Sequence, residues 1–149
     1  MPFWKNALLE LFTEPEKFTI VDQTSDFWVI QDKYPKAQIH LLVVPKVKII
    51  KGVTSLDRSH LPLVNAMSDY LVRTGYDGPN FLVGFHALPS LFQLHLHIVS
   101  RDLRGCKHKK HRNSFTPDFM LNLEQVMQAL TDKGQVVVDQ DHYKQVLAR

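Results

Sequence analysis

The clearest periodicity in the chain lies in residues 93–99, where polar and apolar side chains alternate strictly. Alternate residues of a strand point to opposite faces, so this pattern predicts a strand with two unlike faces. Its leucines and isoleucine would enter a core, whereas Gln93, His95 and His97 would form a row on the other face. Two imidazoles and an amide in a row indicate that a polar group lies against them.

The remaining patterns predict a mixed set of elements. Strands are predicted over residues 19–21, 27–31, 40–45, 81–87 and 136–138. Helices are predicted over residues 3–12, 55–74 and 117–131, with Gly75 ending the second, Thr116 as the N-cap of the third and Gly134 beyond its end. Because short connections join most of the strands, we expect an α+β fold, a mostly antiparallel sheet with packed helices.

Composition limits the class of protein. The 149 residues are 44% hydrophobic and 22% charged, which is typical of a single soluble globular domain spanning residues 1–149. No apolar run approaches the roughly 20 residues that cross a bilayer, and the N-terminus lacks the pattern of a signal peptide, so no membrane partner is expected. Cys106 is the single cysteine, which excludes an internal disulfide and any zinc finger needing two cysteines within these residues.

The net charge of +3 is unevenly distributed. Residues 101–112 hold six lysines and arginines against Asp102, a net charge of +5, so the rest of the chain sums to −2. Such a dense basic segment on a slightly acidic body indicates contact with a polyanion, although a solvated basic face is the ordinary alternative.

The histidine pair on one strand face admits three interpretations. It is typical of a half-exposed edge strand, of two ligands for a divalent metal, or of covalent catalysis at phosphorus. In the last case a neutral imidazole attacks, neighbouring donors neutralise the phosphoryl oxygens and a further group protonates the leaving oxygen. His86 precedes a turn at residues 88–90 that would return it beside the histidine strand, so it is a candidate proton donor.

Several segments together resemble a known superfamily. Residues 93–99 resemble the histidine-triad (HIT) motif His-φ-His-φ-His-φ-φ, with Gln93 in the first histidine's place. Residues 32–45 are similar to the superfamily's nucleotide-binding strand and loop, and residues 84–90 and 109–115 to catalytic blocks of its DNA 5′-adenylate hydrolases. The likeness extends from about residue 4 to 138 and implies a HIT-like fold and an enzyme that removes AMP from 5′-adenylated DNA, the product of abortive ligation, and restores the 5′-phosphate.

The resemblance also implies catalytic roles. His95 would be the nucleophile that forms a covalent His–AMP intermediate, and His86 would protonate the departing DNA 5′-phosphate. His97, Ser90 and Lys110 would bind phosphate. No metal and no resident cofactor are implied, because AMP is itself the product and the intermediate.

The same resemblance implies a nucleotide site. Asp32 would accept hydrogen bonds from the ribose and His40 would support the imidazoles, although a turn-shaping aspartate and a core histidine are the ordinary alternatives. An amide at position 93 can still bind phosphate or an imidazole. The implied nucleotide-binding residues are Asp32, Lys33, Ile30, His40, Ser90 and Gln93.

The implied partner is nicked or end-bearing duplex DNA carrying a 5′-adenylate, bound by a monomer in the nucleus. The implied DNA contacts from the basic segment are Lys107, Lys109, His111 and Arg112. The N-terminal helix would wedge against a terminal base pair through residues such as Leu8 and Phe12, although an apolar helical stripe is more often core. The zinc finger that such enzymes carry beyond this domain does not lie within these residues.

Two alternative functions stay open. A generic HIT hydrolase of nucleoside phosphoramidates or dinucleoside polyphosphates would use the same His95 chemistry without a DNA surface. A catalytically inactive nucleic-acid-binding module is a third interpretation, prompted by Gln93.

Overall fold

A six-stranded antiparallel sheet forms the centre of the computed structural model, which describes residues 3–47 and 50–149, with side chains from Trp4 onward. Its spatial order is β1-β2-β3-β5-β4-β6, so β3 and β5 are central. The strands are β1 (Ile20–Gln23), β2 (Phe27–Gln31), β3 (His40–Pro45), β4 (Phe81–His86), β5 (Leu96–Ser100) and β6 (Met120–Leu121). The predicted α+β class with a mostly antiparallel sheet is confirmed.

The helices cover both faces of this sheet. The α-helices are α1 (Leu61–Thr74), α2 (Lys109–Asn113), α3 (Leu123–Lys133) and α4 (Gln140–Ala148). A 3-10 helix spans Phe3–Phe12, and shorter 3-10 turns span Pro15–Lys17, Val53–Ser55 and Arg58–His60. No helix in the described part of the chain is long and apolar enough to cross a membrane.

Strand periodicity separates two apolar clusters. On one face, alternate residues of β3 and β5, among them Val43 and Leu96, pack with α1 and α3 in the main core. On the other face, Leu42 packs beneath Leu8 and Leu11 of the N-terminal helix. Because Leu42 pairs with His97 in the register of β3 and β5, the histidine face lies opposite α1 and α3.

Helices α1 and α3 begin several residues later in the chain than predicted. Asp57 caps a separate 3-10 turn, with its carboxylate accepting the Ser59 N–H, and α1 therefore starts only at residue 61 rather than 55. Likewise α3 starts after Asn122, which forms a reciprocal capping box with Gln125, so Thr116 is not the N-cap. In both cases the apolar pattern extends to residues before the cap, but the helix begins only after the capping residue.

The end of the chain also differs from prediction. The strand predicted over residues 136–138 is absent, and only an isolated bridge joins Gln135 to Asp57 in the described residues. Helix α4 and strand β6 were not predicted. The helix stops at Gly75 and Gly134 are confirmed, since both adopt the left-handed conformation that favours glycine, with φ of 83° and 70°.

Candidate active site

A pocket of about 280 Å³ lies on the histidine face of the sheet. Its walls come from the loop before β3, the end of β4, the residues leading into β5, α2 and the last turn of α4. Among its lining residues are these predicted site residues: Asp32, His40, His86, Ser90, His95, His97, Lys110 and His111. The structure therefore brings the four predicted catalytic residues together in one cavity.

His95 stands immediately before β5, and its tautomer follows from one contact. The strand begins at Leu96, so residues 93–95 are not the strand that the alternation predicted, and Gln93 has a positive φ of 70°. His95 Nδ1 lies 2.9 Å from the carbonyl oxygen of Gln93, which can only accept a hydrogen bond. His95 therefore carries its proton on Nδ1, and Nε2 retains the lone pair that a nucleophile needs.

His40 and His97 form a directed pair. The backbone N–H of Lys36 donates to His40 Nδ1 over 3.0 Å, so in the neutral ring the proton is on Nε2. That nitrogen lies 3.0 Å from His97 Nδ1 and 3.5 Å from an Asp32 carboxylate oxygen. His97 consequently accepts at Nδ1 and carries a proton on Nε2, which is buried and has no partner among the described residues. It is a donor available to an anion in the pocket.

His86 stacks on His97, with ring centroids 4.0 Å apart and an interplanar angle of 29°. Its Nε2 is buried without a partner among the described residues. Phe115 and Phe119 surround it, with ring centroids at 5.0 and 5.4 Å. Three imidazoles with a buried, unpartnered nitrogen, those of His86, His97 and His111, therefore line one partly aromatic cavity.

All four imidazoles are held neutral by their surroundings. Burial lowers the pKa of His40 to about 4 and that of His86 to about 3, and it also lowers the pKa of His95 and, strongly, that of His97. Asp32 acts in the opposite direction on the pKa of His40 but does not outweigh burial. At neutral pH the site thus holds an unprotonated nucleophile rather than a cluster of imidazolium ions.

The structure brings together a group of potential metal ligands that differs from the predicted pair, His95 and His97. Asp32, His40 and His97 place potential ligand atoms within 4.8 Å of one another. Their spacing is accounted for by the hydrogen bond between the two imidazoles and the contact with the carboxylate. His95 does not belong to this group.

Three of the predicted nucleotide-binding residues lie outside the pocket lining. Lys33 places its ammonium 4.6 Å from the centre of the Phe18 ring. Ile30 is 1% exposed and packs in the cluster beneath the N-terminal helix. Gln93 is also 1% exposed, and its amide bonds to backbone groups of residues 45–50 instead of lining the cavity.

The predicted DNA contacts divide into exposed and buried residues. Lys107, Lys109 and Arg112 are exposed around α2, so their DNA contact stays a prediction. Leu8 is 3% exposed and packs in the core, so it presents no surface to a base pair and its predicted wedge role is not supported. Phe12 is half-buried, with its ring edge-on to Trp28.

Some lining residues were not predicted. They are Lys36, Leu88, Leu91, Ser114, Phe115, Phe119 and Leu147. Lys36 takes part through its backbone N–H, and sequence patterns carry no signal for such a contact. Leu147 belongs to α4, a helix with a single buried residue, Val146, and therefore with almost no apolar stripe to detect.

Comparison with solved structures places this fold in a class. An aprataxin ortholog, Hnt3, solved in complex with DNA, matches with a TM-score of 0.68 at 23% identity, over 87% of this chain and 77% of that one. A HIT family hydrolase from Clostridium thermocellum matches with a TM-score of 0.53 at 19% identity, over 66% of this chain and 92% of that one. At such identities the likeness establishes the fold alone. The chain therefore has the fold of histidine-triad proteins.

The sequence comparison is more specific. Residues 4–112 match the family described as "Scavenger mRNA decapping enzyme C-term binding", and the chain belongs to that family. Aprataxin of Gallus gallus is 37% identical over 145 residues, which is 91% of this chain. The predicted resemblance to the aprataxins of the histidine-triad superfamily is thereby confirmed. The chain spans 44% of the length of that curated relative.

Proposed function

We propose that this domain hydrolyses the AMP group from 5′-adenylated DNA through a covalent intermediate on His95. The observation that carries the proposal is the hydrogen bond from His95 Nδ1 to the Gln93 carbonyl. It leaves Nε2 as a neutral nucleophile in a pocket that also contains unpartnered imidazole nitrogens and the Lys110 side chain.

In the first step His95 Nε2 attacks the phosphorus of the AMP group. A nitrogen–phosphorus bond forms, and the bond from that phosphorus to the bridging oxygen of the pyrophosphate breaks. The electron pair of the broken bond goes to the DNA 5′-phosphate, which leaves. In the second step water attacks the same phosphorus and the nitrogen–phosphorus bond breaks, its electron pair returning to His95 Nε2. AMP and the neutral imidazole are released, and one proton of the water is lost to solvent.

Charge stabilisation comes from fixed donors. The proton on His97 Nε2 has no partner among the described residues, so it can donate to a non-bridging phosphoryl oxygen without first giving up another bond. Lys110, at the start of α2, and Ser90, in the turn after β4, line the same cavity. Asp32 lines the same cavity, and its carboxylate can accept hydrogen bonds from ribose hydroxyls.

His86 is the proposed acid for the departing phosphate. Its buried Nε2 has no partner among the described residues, so this nitrogen can carry a proton toward a bound phosphate. A bound pyrophosphate brings negative charge next to this ring and raises its pKa, which favours protonation at Nε2. His86 can then transfer that proton to the departing phosphate.

The exposed basic residues around α2 would hold the DNA backbone beside the pocket. Relatives named aprataxin, and a solved Hnt3–DNA complex of the same fold, support a DNA substrate. We further propose that the domain acts as a monomer, in the nucleus, without a resident metal or cofactor.

A second candidate is hydrolysis of dinucleoside polyphosphates. It is favoured by the family description, which names a decapping enzyme, since an mRNA cap joins two nucleosides through phosphates. The same nucleophile would attack a phosphorus of the polyphosphate, and no DNA surface would be required.

A substrate panel separates the candidates. The protein is incubated with a nicked duplex carrying a 5′-adenylate, an adenosine phosphoramidate and a capped dinucleotide, and kcat/KM is measured for each. We expect the adenylated nick to be the best substrate by at least about tenfold, because only it can use the basic surface. A preference for either small substrate would assign the domain to the second candidate.

A further inference from the structure

The side chain of Gln93 is fully engaged by backbone groups. Its amide nitrogen donates to the carbonyls of Pro45 and Val47, over 3.2 and 2.7 Å, and its amide oxygen accepts the Ile50 N–H over 3.3 Å. The residue is 1% exposed. The amide therefore connects the end of β3 and the beginning of the following segment to the turn that precedes His95.

The backbone of Gln93 is in a conformation that its side chain must help to maintain. Its φ of 70° is in the left-handed region, which is unfavourable for a residue with a Cβ. Hydrogen bonds to both the oxygen and the nitrogen of its buried amide can hold a glutamine in this backbone conformation. This conformation turns the Gln93 carbonyl toward His95 Nδ1.

The residues beside Gln93 are fixed as well. Phe92 N–H donates to the carbonyl of Lys5 in the N-terminal helix over 2.7 Å, and Leu94 N–H donates to the carbonyl of Ile50 over 2.6 Å. Gln93 therefore occupies the centre of a turn that is anchored on both sides. Its carbonyl has little freedom to move away from the imidazole.

We infer that Gln93 is a positioning residue, which sets the tautomer and orientation of His95 through its backbone carbonyl and does so because its side-chain amide holds the turn. This inference rests on the proposed role of His95 and replaces the sequence-based assignment of Gln93 to nucleotide binding. It also explains how a glutamine can occupy the first position of the motif, since three backbone partners require one acceptor and two donors.

The first test separates positioning from substrate contact. Gln93→Met keeps the side-chain length without the hydrogen bonds, and Gln93→Glu keeps the acceptor for Ile50 but places carboxylate oxygen against two carbonyls. We expect kcat to fall by about 10- to 100-fold in both variants while the Kd for AMP stays within about threefold. Gln128→Met, on α3 across the sheet, is the matched control and should leave both values unchanged.

The second test does not depend on catalysis. Long-range proton–nitrogen NMR correlation of the ¹⁵N-histidine-labelled wild-type protein reports which ring nitrogen of His95 is protonated, and loss of the signal in His95→Ala assigns it. We expect protonated Nδ1 and unprotonated Nε2 in the wild type. In folded Gln93→Met we expect a mixture of both tautomers.

The outcomes are distinct. A rise in the Kd for AMP at unchanged kcat would restore the nucleotide-binding role of Gln93 and overturn the inference. A wild-type His95 protonated on Nε2 would overturn it whatever the variants do. If the domain proves inactive on every substrate of the panel, the proposed function fails, but a single Nδ1 tautomer in the wild type that becomes mixed in Gln93→Met would still support the positioning role.

Discussion

The protons on three of the site imidazoles, His40, His95 and His97, are fixed by their hydrogen-bond partners. A backbone N–H must donate to His40, a backbone carbonyl must accept from His95, and His97 then takes the tautomer that His40 dictates. The sequence predicts the identity of these histidines. It does not predict their tautomers, which depend on the direction of backbone groups in the loop at Lys36 and in the left-handed turn at Gln93.

The buried neutral histidines make stability depend on pH. The unfolded chain binds protons on these side chains below pH 6.5, whereas burial lowers the pKa of His40 to about 4 and that of His86 to about 3 in the folded state. The unfolded state therefore holds more protons in this window, and the free energy of unfolding should fall as the pH drops from 7 to 5, by about 2 kcal/mol or more.

Urea unfolding at several pH values measures this effect. His142→Asn, which removes an exposed histidine of α4, should leave the slope unchanged, while His86→Phe should reduce it. A flat profile between pH 5 and 7 would contradict the assignment of neutral, buried imidazoles.

At the scale of elements, the N-terminal 3-10 helix has one buried side and one exposed side. Leu8 and Leu11 bury their side chains under it, while Trp4 is 55% exposed and has the Lys5 ammonium 5.8 Å from its ring centre. The apolar spacing predicts the helix, but it does not distinguish the buried leucine from the exposed tryptophan. That division depends on where the helix sits on the sheet.

Substitutions in this helix should separate stability from DNA recognition. Leu8→Ala should destabilise the protein by about 2–5 kcal/mol, because it leaves a cavity in a packed cluster. Trp4→Ala should leave stability nearly unchanged and lower kcat/KM for the adenylated nick more than for a small adenylate, since an exposed indole can stack on a terminal base. Thermal unfolding and the two kinetic assays measure both effects; equal loss on both substrates would exclude base stacking by Trp4.

The basic segment contacts the loop before β3 at a glycine. Gly105 N–H donates to the Lys36 carbonyl over 2.9 Å, and a Cβ at position 105 would collide with the Pro35 carbonyl and lie 2.8 Å from Lys36 Cα. The need for glycine here is invisible in sequence patterns, since it arises from two loops meeting across about seventy residues.

Gly105→Ala should therefore move both loops apart. We expect a loss of about 1–3 kcal/mol of stability and a lower kcat on small and DNA substrates alike, because Lys36 supplies the N–H that orients His40. The control is Ser25→Ala, at an exposed position. Gly78→Ala is less suitable, because the new Cβ would lie 3.1 Å from a backbone oxygen. An unchanged kcat in folded Gly105→Ala would show that the two loops are not coupled.

For the molecule as a whole, the sheet separates the candidate active site from the main hydrophobic core. The four catalytic candidates and the basic segment lie on the histidine face, and the main core with α1 and α3 lies on the other. The sequence predicts this division from strand alternation and charge. It misses α4, which lines the pocket with Leu147, because that helix buries a single residue, Val146, and so has almost no apolar stripe to detect.

Charge reversal on the two faces should affect DNA processing differently. Lys107→Glu with Lys109→Glu should lower kcat/KM for the adenylated nick by about 10- to 100-fold at low salt and flatten its salt dependence, while sparing the small adenylate. Arg73→Glu with Lys133→Glu makes the same change in net charge at the ends of α1 and α3. Equal effects of the two double variants on DNA would mean that net charge alone, and not the α2 surface, governs binding.

The measurement that tests the central claim most directly is trapping of the intermediate. A nicked duplex labelled in its 5′-AMP group is mixed with excess protein, the reaction is quenched with denaturant at alkaline pH, and labelled protein is mapped by mass spectrometry. We predict AMP attached to His95 Nε2, transient in the wild type, absent in His95→Ala and retained in His142→Asn. Labelled AMP attached elsewhere, or formed at the wild-type rate by His95→Ala, would contradict the assignment of His95 as the nucleophile.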